Sequence, residues 1–343
     1  MDLRTVGSTI HPYLRKGLDR ARRYYELEGP AMAARRLSYD VYAQALAGAW
    51  AVAGEDYGES IWDRDWEVLI VLDACRADLM DEVADEYDFL EPHTSMMSVG
   101  SNSGQWMTRT FAPEYRDEMA DTAVVTGNPH SSTCIDGDDL ALLDEVWRYA
   151  WEDDDELFRA NYVADRAIDV WRTHRPERMI VHFMQPHLPF IPHFDGFESE
   201  LHRGFYSQWR DIRTGDADRD VMWSQYRDNL HYVLEYVDRL LDSIDADDVV
   251  ISADHGEAVG EYGIYGHDGI PLRVLRQVPW VETTARDTGE YVPSFQPDPD
   301  AVGLATADAT AADGDAAADD PATGDESAEE QVREQLAMLG YME

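Results

Sequence analysis

The stretch VISADHGE (250–257) passes from an apolar run directly to Asp254 and His255, with Gly256 behind them. A strand that delivers a carboxylate and an imidazole into a glycine-containing loop is placing ligands. The run EVLIVLD (67–73) ends in the same manner on Asp73. Asp73, Asp254 and His255 make a hard oxygen-and-imidazole set that suits a divalent ion such as Zn²⁺ or Mn²⁺. A lone strand-end Asp commonly caps the next helix; an Asp-His pair before a glycine is harder to read that way.

The segment SVGSNSGQWMTR (98–109) is a turn followed by a helix start. A hydroxyl there, Ser103, is a candidate nucleophile activated by the metal. The first-turn amides could hold the non-bridging oxygens of a phosphate or sulfate. The competing reading makes Ser103 a simple N-cap. A serine-hydrolase elbow needs G-x-S-x-G, and Asn102 occupies the middle of Gly100–Gly104. His187 in HFMQPHLPF and His267 in YGHDG lie where the other ligands point. They could bind a second metal or stabilise the oxyanion or leaving group, against the ordinary structural role of a lone histidine. His182 is expected to face the packing layer of the sheet.

Positioning these groups requires strands. Short apolar runs predict them at 67–73, 122–126, 178–183, 248–253 and 278–282. Helices are expected at 77–87, over 138–173 and over 223–244, the last with Tyr226, Leu230, Val233, Val237 and Leu240 as its buried stripe. Strands separated by helices predict an α/β fold with a mostly parallel central sheet and helices on both faces. Ligands then sit beyond the carboxyl ends of the strands. Those ends carry Asp73, Asn128, His187, Asp254 and His255.

The 343 residues carry a formal net charge of -42 with 44% hydrophobic content, so this is a folding chain with a solvated acidic surface. Such a surface argues against a nucleic-acid partner. Cys75 and Cys134 make no disulfide framework. The N-terminus has no apolar core like a signal peptide, and no segment approaches the roughly 18–20 apolar residues of a membrane helix. A cytoplasmic protein is expected. Arg15, Lys16, Arg20, Arg22, Arg23, Arg35 and Arg36 crowd the early chain. That basic stretch either lies on an anionic membrane surface as a peripheral contact or packs as a helix. The expected organisation is a helical segment (1–60), a catalytic domain (61–295), an acidic low-complexity linker (296–329) and a short C-terminal helix (330–343). The oligomeric state is left open.

VLIVLDACRADLM, GSNSGQWMTRTF, HFMQPHLPF and ISADHGEAVGEYGIYGHDG, in that order, resemble the sulfatase branch of the alkaline phosphatase superfamily, in the acidic form found in halophilic archaea. The resemblance covers roughly residues 65–283. It implies an alkaline phosphatase-like sandwich holding one divalent ion (Zn, Mn, Ca or Mg), with a second left open. It implies Asp73, Asp254 and His255 as ligands. Ser103 is implied as a nucleophile that also ligates, and His187 and His267 as contacts to the transferred group. Arg76 and Arg109 are candidate anion clamps, against a role in structural ion pairs.

The departures matter. Sulfatases oxidise a Cys or Ser to formylglycine in a C/S-x-P/A-x-R context, but Gly104-Gln105-Trp106-Met107 follows Ser103. Two-metal relatives place an Asp four residues before the histidine matched to His187; here that residue is Phe183, which favours one metal over two. The expectation is therefore a metal-dependent hydrolase or transferase acting on a phosphate ester of a small molecule, lipid or glycan. The alternatives are a sulfuric ester hydrolase and a catalytically silent scaffold of the same fold.

Overall fold

The computed structural model describes residues 22, 25, 29–31, 33–35, 37–49, 58–150, 158–193, 211–213, 215–267, 269–297, 302 and 305–306. The chain divides into two units, 1–55 and 56–343. In the first, the described residues are helical. The second holds the sheet. Most of the basic N-terminal stretch, most of the acidic linker and the expected C-terminal helix lie outside the described residues.

Strand β1 (Val68–Leu72) has all five side chains buried, which is why it reads as an uninterrupted apolar run. The later strands are β2 (His93–Met97), β3 (Thr122–Thr126), β4 (Leu142–Glu145), β5 (Arg178–Phe183), β6 (Ala246–Ser252), β7 (Ala258–Val259), β8 (Tyr265–Gly266), β9 (Gln277–Ala285) and β10 (Ala305–Thr306). The main sheet runs β10-β4-β3-β5-β1-β6-β9-β2. The five strands β4, β3, β5, β1 and β6 are parallel. β9 pairs antiparallel with β6 and β2, and β10 with β4. β7 and β8 form a separate hairpin. The fold is thus α/β with a mostly parallel sheet surrounded by helices, as expected.

Two expectations are corrected. The segment 138–173 is not one helix: it contains β4, and the helix begins only at Ala160, running to His174. Within β4, Asp144 is fully buried and paired with Arg166 at 2.9 Å. Within the expected linker, Ala305 and Thr306 pair with Leu143 and Leu142 as an edge strand. The helix Arg219–Leu241 buries the whole expected stripe together with Asn229.

Candidate metal centre and nucleophile

The carboxyl ends of β3, β5, β1 and β6, neighbours in that order, open on one edge of the sheet. Asp73 follows β1 and Asp254 follows β6; both are fully buried, as is His255. Ala74 takes a left-handed φ of 60° to turn the chain there, and its amide donates to Asp254 Oδ1 at 3.1 Å. The amide of His255 donates to the same oxygen at 2.9 Å. Gly256 is required by close approach, since a Cβ there would lie 2.2 Å from the carbonyl oxygen of Val274.

Three acceptor atoms then face one another. His255 Nδ1 lies 2.7 Å from the Gly256 carbonyl, so it carries the proton and Nε2 carries the lone pair. That Nε2 is 3.5 Å from Asp73 Oδ1 and 3.5 Å from Asp254 Oδ2. Burial holds the His255 pKa below its ordinary value despite the Asp254 carboxylate beside it. Burial pushes the Asp254 pKa up, but His255 and His182 outweigh it and the carboxyl stays ionised. Asp254 Oδ2 is buried with no hydrogen-bond partner among the described residues. Two carboxyl side chains and an imidazole lone pair converge here, a hard oxygen-and-nitrogen donor set. The residues fit a divalent ion, and their ligand atoms lie within 4.8 Å of one another.

Ser103 opens the helix Ser103–Thr110 and is buried. Its N-cap is Asn102. The Ser103 hydroxyl is therefore not the cap; it turns inward, 3.2 Å from His255 Nε2 and 3.4 Å from Asp73 Oδ2.

A second donor cluster holds His187, Glu257 and His267, again with ligand atoms within 4.8 Å of one another. The β7–β8 hairpin folds the chain back so that His267 Nδ1 lies 3.1 Å from both Glu257 oxygens. The His267 ring is 4.6 Å from that of His255 and 5.1 Å from that of His187. His187 Nδ1 contacts the Leu188 carbonyl at 2.8 Å, so Nε2 keeps its lone pair. Glu257 was missed in the sequence. Its carboxylate arrives from two residues beyond His255, so Phe183 does not deprive the second cluster of an acid. Burial pushes the Glu257 pKa up, but His267 and His187 more than offset this and it is ionised.

His130 was also missed. It follows β3, and its ring lies 3.6 Å from where a Cβ on Gly104 would stand. Burial, with His267 nearby, lowers its pKa to about 4. His182 does not simply pack into the sheet: its ring meets Trp106 edge-on, and Nε2 stands 3.7 Å from Asp254 Oδ2.

The two arginines do not join these clusters. Arg76 donates to Asp78, Glu261 and the Glu257 carbonyl, and lies over Trp223. It secures the loop bearing Glu257 and is not a free anion clamp. Arg109 donates to the Val99 carbonyl on the exposed side of its helix. Cys75 is buried with its thiol pKa pushed up by burial, so it packs and does not react.

No curated protein sequence matches the chain. Among solved structures, it is similar to the lipooligosaccharide phosphoethanolamine transferase of Neisseria meningitidis (14% identity, 84% of this chain, 61% of that one, TM-score 0.45). It is similar to the periplasmic domain of an Escherichia coli protein, EcEptC, in complex with Zn (14% identity, 68% of this chain and 77% of that one, TM-score 0.43). A third is the BT4656 protein with its substrate D-glucosamine-2-N,6-O-disulfate (13% identity, 67% and 72%, TM-score 0.39). The chain spans under two thirds of the length of the neisserial protein. The family model described as Sulfatase matches residues 93–276, which is just over half the chain. That span contains Ser103, His187, Asp254, His255, Glu257 and His267, while Asp73 is brought to them by the fold, and the chain belongs to the sulfatase family.

Proposed function

We propose that the chain is a metal-dependent hydrolase or transferase of phosphate esters, with Ser103 as an unmodified nucleophile. The observation that carries this reading is the inward Ser103 hydroxyl, released from capping and set against His255 and Asp73. Asp73, Asp254 and His255 would hold one divalent ion; His187, Glu257 and His267 would hold a second. Ions bound there would supply positive charge for the equatorial and leaving oxygens of the ester.

Ser103 Oγ forms a bond to phosphorus while the bond from phosphorus to the leaving ester oxygen breaks. Asp73 Oδ2 is an acceptor in reach for the hydroxyl proton. His187 has its pKa lowered to about 4, by burial and then His267, and its one proton is held on Nδ1 by Leu188. At neutral pH it has no Nε2 proton to give to a leaving alcohol. It therefore serves better as a ligand than as a general acid. Water or an acceptor alcohol then attacks phosphorus and releases Ser103.

Family membership favours a sulfuric ester as the second reading. The residues after Ser103 oppose it, because they lack the signal for oxidation and a plain serine sulfate has no easy release. The substrate would be an ester of a small molecule, lipid or glycan. The same proposal puts the protein in the cytoplasm, with the basic N-terminal segment packing as a helix; co-flotation with anionic vesicles tests the alternative of a peripheral membrane contact. A rapid acid quench with an aryl phosphate, read by intact mass and peptide mapping, tests the chemistry. A phosphoryl adduct on Ser103 is expected. Formylglycine at 103, or aryl sulfate turned over faster than aryl phosphate, would establish sulfuric ester hydrolysis instead.

A further inference from the structure

Asn128 stands two residues beyond the end of β3, fully buried, and belongs to neither donor cluster. Its Nδ2 donates to Asp73 Oδ2 at 2.7 Å. Its Oδ1 accepts from the amide of His130 at 3.0 Å, and its own amide donates to Thr126 Oγ1 at 3.0 Å. The side-chain amide therefore has a fixed orientation. Flipping it would set an NH₂ group against the His130 N–H and a carbonyl oxygen against a carboxylate.

We infer that Asn128 is a positioning residue that assigns the two Asp73 oxygens to different tasks. The oxygens of a carboxylate are chemically alike until a neighbour distinguishes them. Here the Asn128 amide takes one lone pair of Oδ2, and the remaining lone pair of that oxygen lies toward the Ser103 hydroxyl at 3.4 Å. Oδ1 is left facing His255 Nε2 at 3.5 Å, as the oxygen turned to the first ion. The amide is neutral, so it orients Asp73 without adding to the charge of two carboxylates and one imidazole. It also links a third strand end to the centre without supplying a ligand. Hydrogen-bonded partners of this kind commonly hold ligands in place and tune their affinity. A purely structural Asn128 would affect folding alone.

The inference rests on the metal reading above, and the test separates the two. The full chain, stripped with chelator, is titrated with Zn²⁺ alone against a competing chromophoric chelator at one fixed pH, for wild type, Asn128→Ala and Asn128→Leu. Asn128→Ala is expected to weaken the first, Asp73-containing site by about 10–100-fold, with the metal-free melting transition retained. Asn128→Leu keeps the volume but removes the donor to Asp73 Oδ2, and is expected to weaken the same site. This variant carries the test should Asn128→Ala fail to fold. Wild-type Zn²⁺ affinity in either folded variant overturns the role of Asn128. A wild-type chain that binds no Zn²⁺ overturns the metal reading itself, and this inference with it.

Discussion

Asn102 caps the helix Ser103–Thr110: its Oδ1 accepts from the amide of Gln105 at 2.9 Å. The neighbouring Ser103 does not cap, so the proposed nucleophile and the cap are separable by mutation. Ser103→Ala should reduce turnover by about 10³-fold or more while changing stability by only about 1 kcal/mol. Asn102→Ala should cost about 1 kcal/mol through the lost cap. Steady-state kinetics beside chemical denaturation measure both. Full activity in Ser103→Ala would move the nucleophile to Ser101 or Thr108.

The metal content should follow the two clusters. Two equivalents of divalent ion are expected by elemental analysis after dialysis. Glu257→Gln should bring this to one, because a neutral amide is a poor ligand beside two imidazoles. His255→Ala should lose the other. Two equivalents retained in Glu257→Gln would show that this carboxylate only orients His267.

The central strands were legible because they are buried on both faces and read as apolar runs: β1, β3 and β5 follow the expected spans closely. β2 was not, since HTSMM has only Met96 buried and no apolar run to reveal it. β4 was hidden by acids that turn out to be paired. The first cluster was legible because its members end apolar runs. Glu257 was not, because nothing local distinguishes it from the many surface acids of this chain. It becomes visible only when the β7–β8 hairpin returns His267 to its side. His130 lay in a turn whose direction no local pattern of residues reveals.

Acid should destabilise the metal-free protein within a defined window. His130, His182 and His187 each have a pKa lowered to about 4 from the ordinary 6.5, chiefly by burial. The unfolded chain binds these protons near 6.5 and the folded chain only near 4. The stabilisation is thus complete above about 6.5 and is lost progressively as pH falls toward about 4. Each histidine contributes at most about 1.4 kcal/mol per pH unit in that interval. Urea midpoints at pH 7, 6 and 5 measure it, in molar salt to screen the acidic surface. The steepest loss should come between pH 6 and 5, and His182→Gln should flatten it. Equal stability at pH 7 and 5 would contradict the burial of neutral imidazoles.

Asn229 holds the loop that presents His187. It is the fully buried polar residue on the apolar stripe of the helix Arg219–Leu241. Its Nδ2 donates to the carbonyls of Pro186, His187 and Pro189 at 2.9, 3.0 and 3.2 Å, and its Oδ1 accepts from the amide of Ile191 at 3.0 Å. The loop relies on this because Pro186 and Pro189 have no N–H to close its own turns. Asn229→Leu keeps the volume but removes every one of these bonds, leaving carbonyls and an amide buried. A loss of about 3 kcal/mol or more is expected. With the loop free to relax, His187 Nε2 should leave the Glu257–His267 pair. Denaturation midpoints and bound metal per chain, read on the same preparation, check both halves. The expected result is reduced stability with only the Asp73–Asp254–His255 ion retained. Asn229→Leu with stability within about 1 kcal/mol of wild type and two bound ions would show that the loop is held by its other contacts.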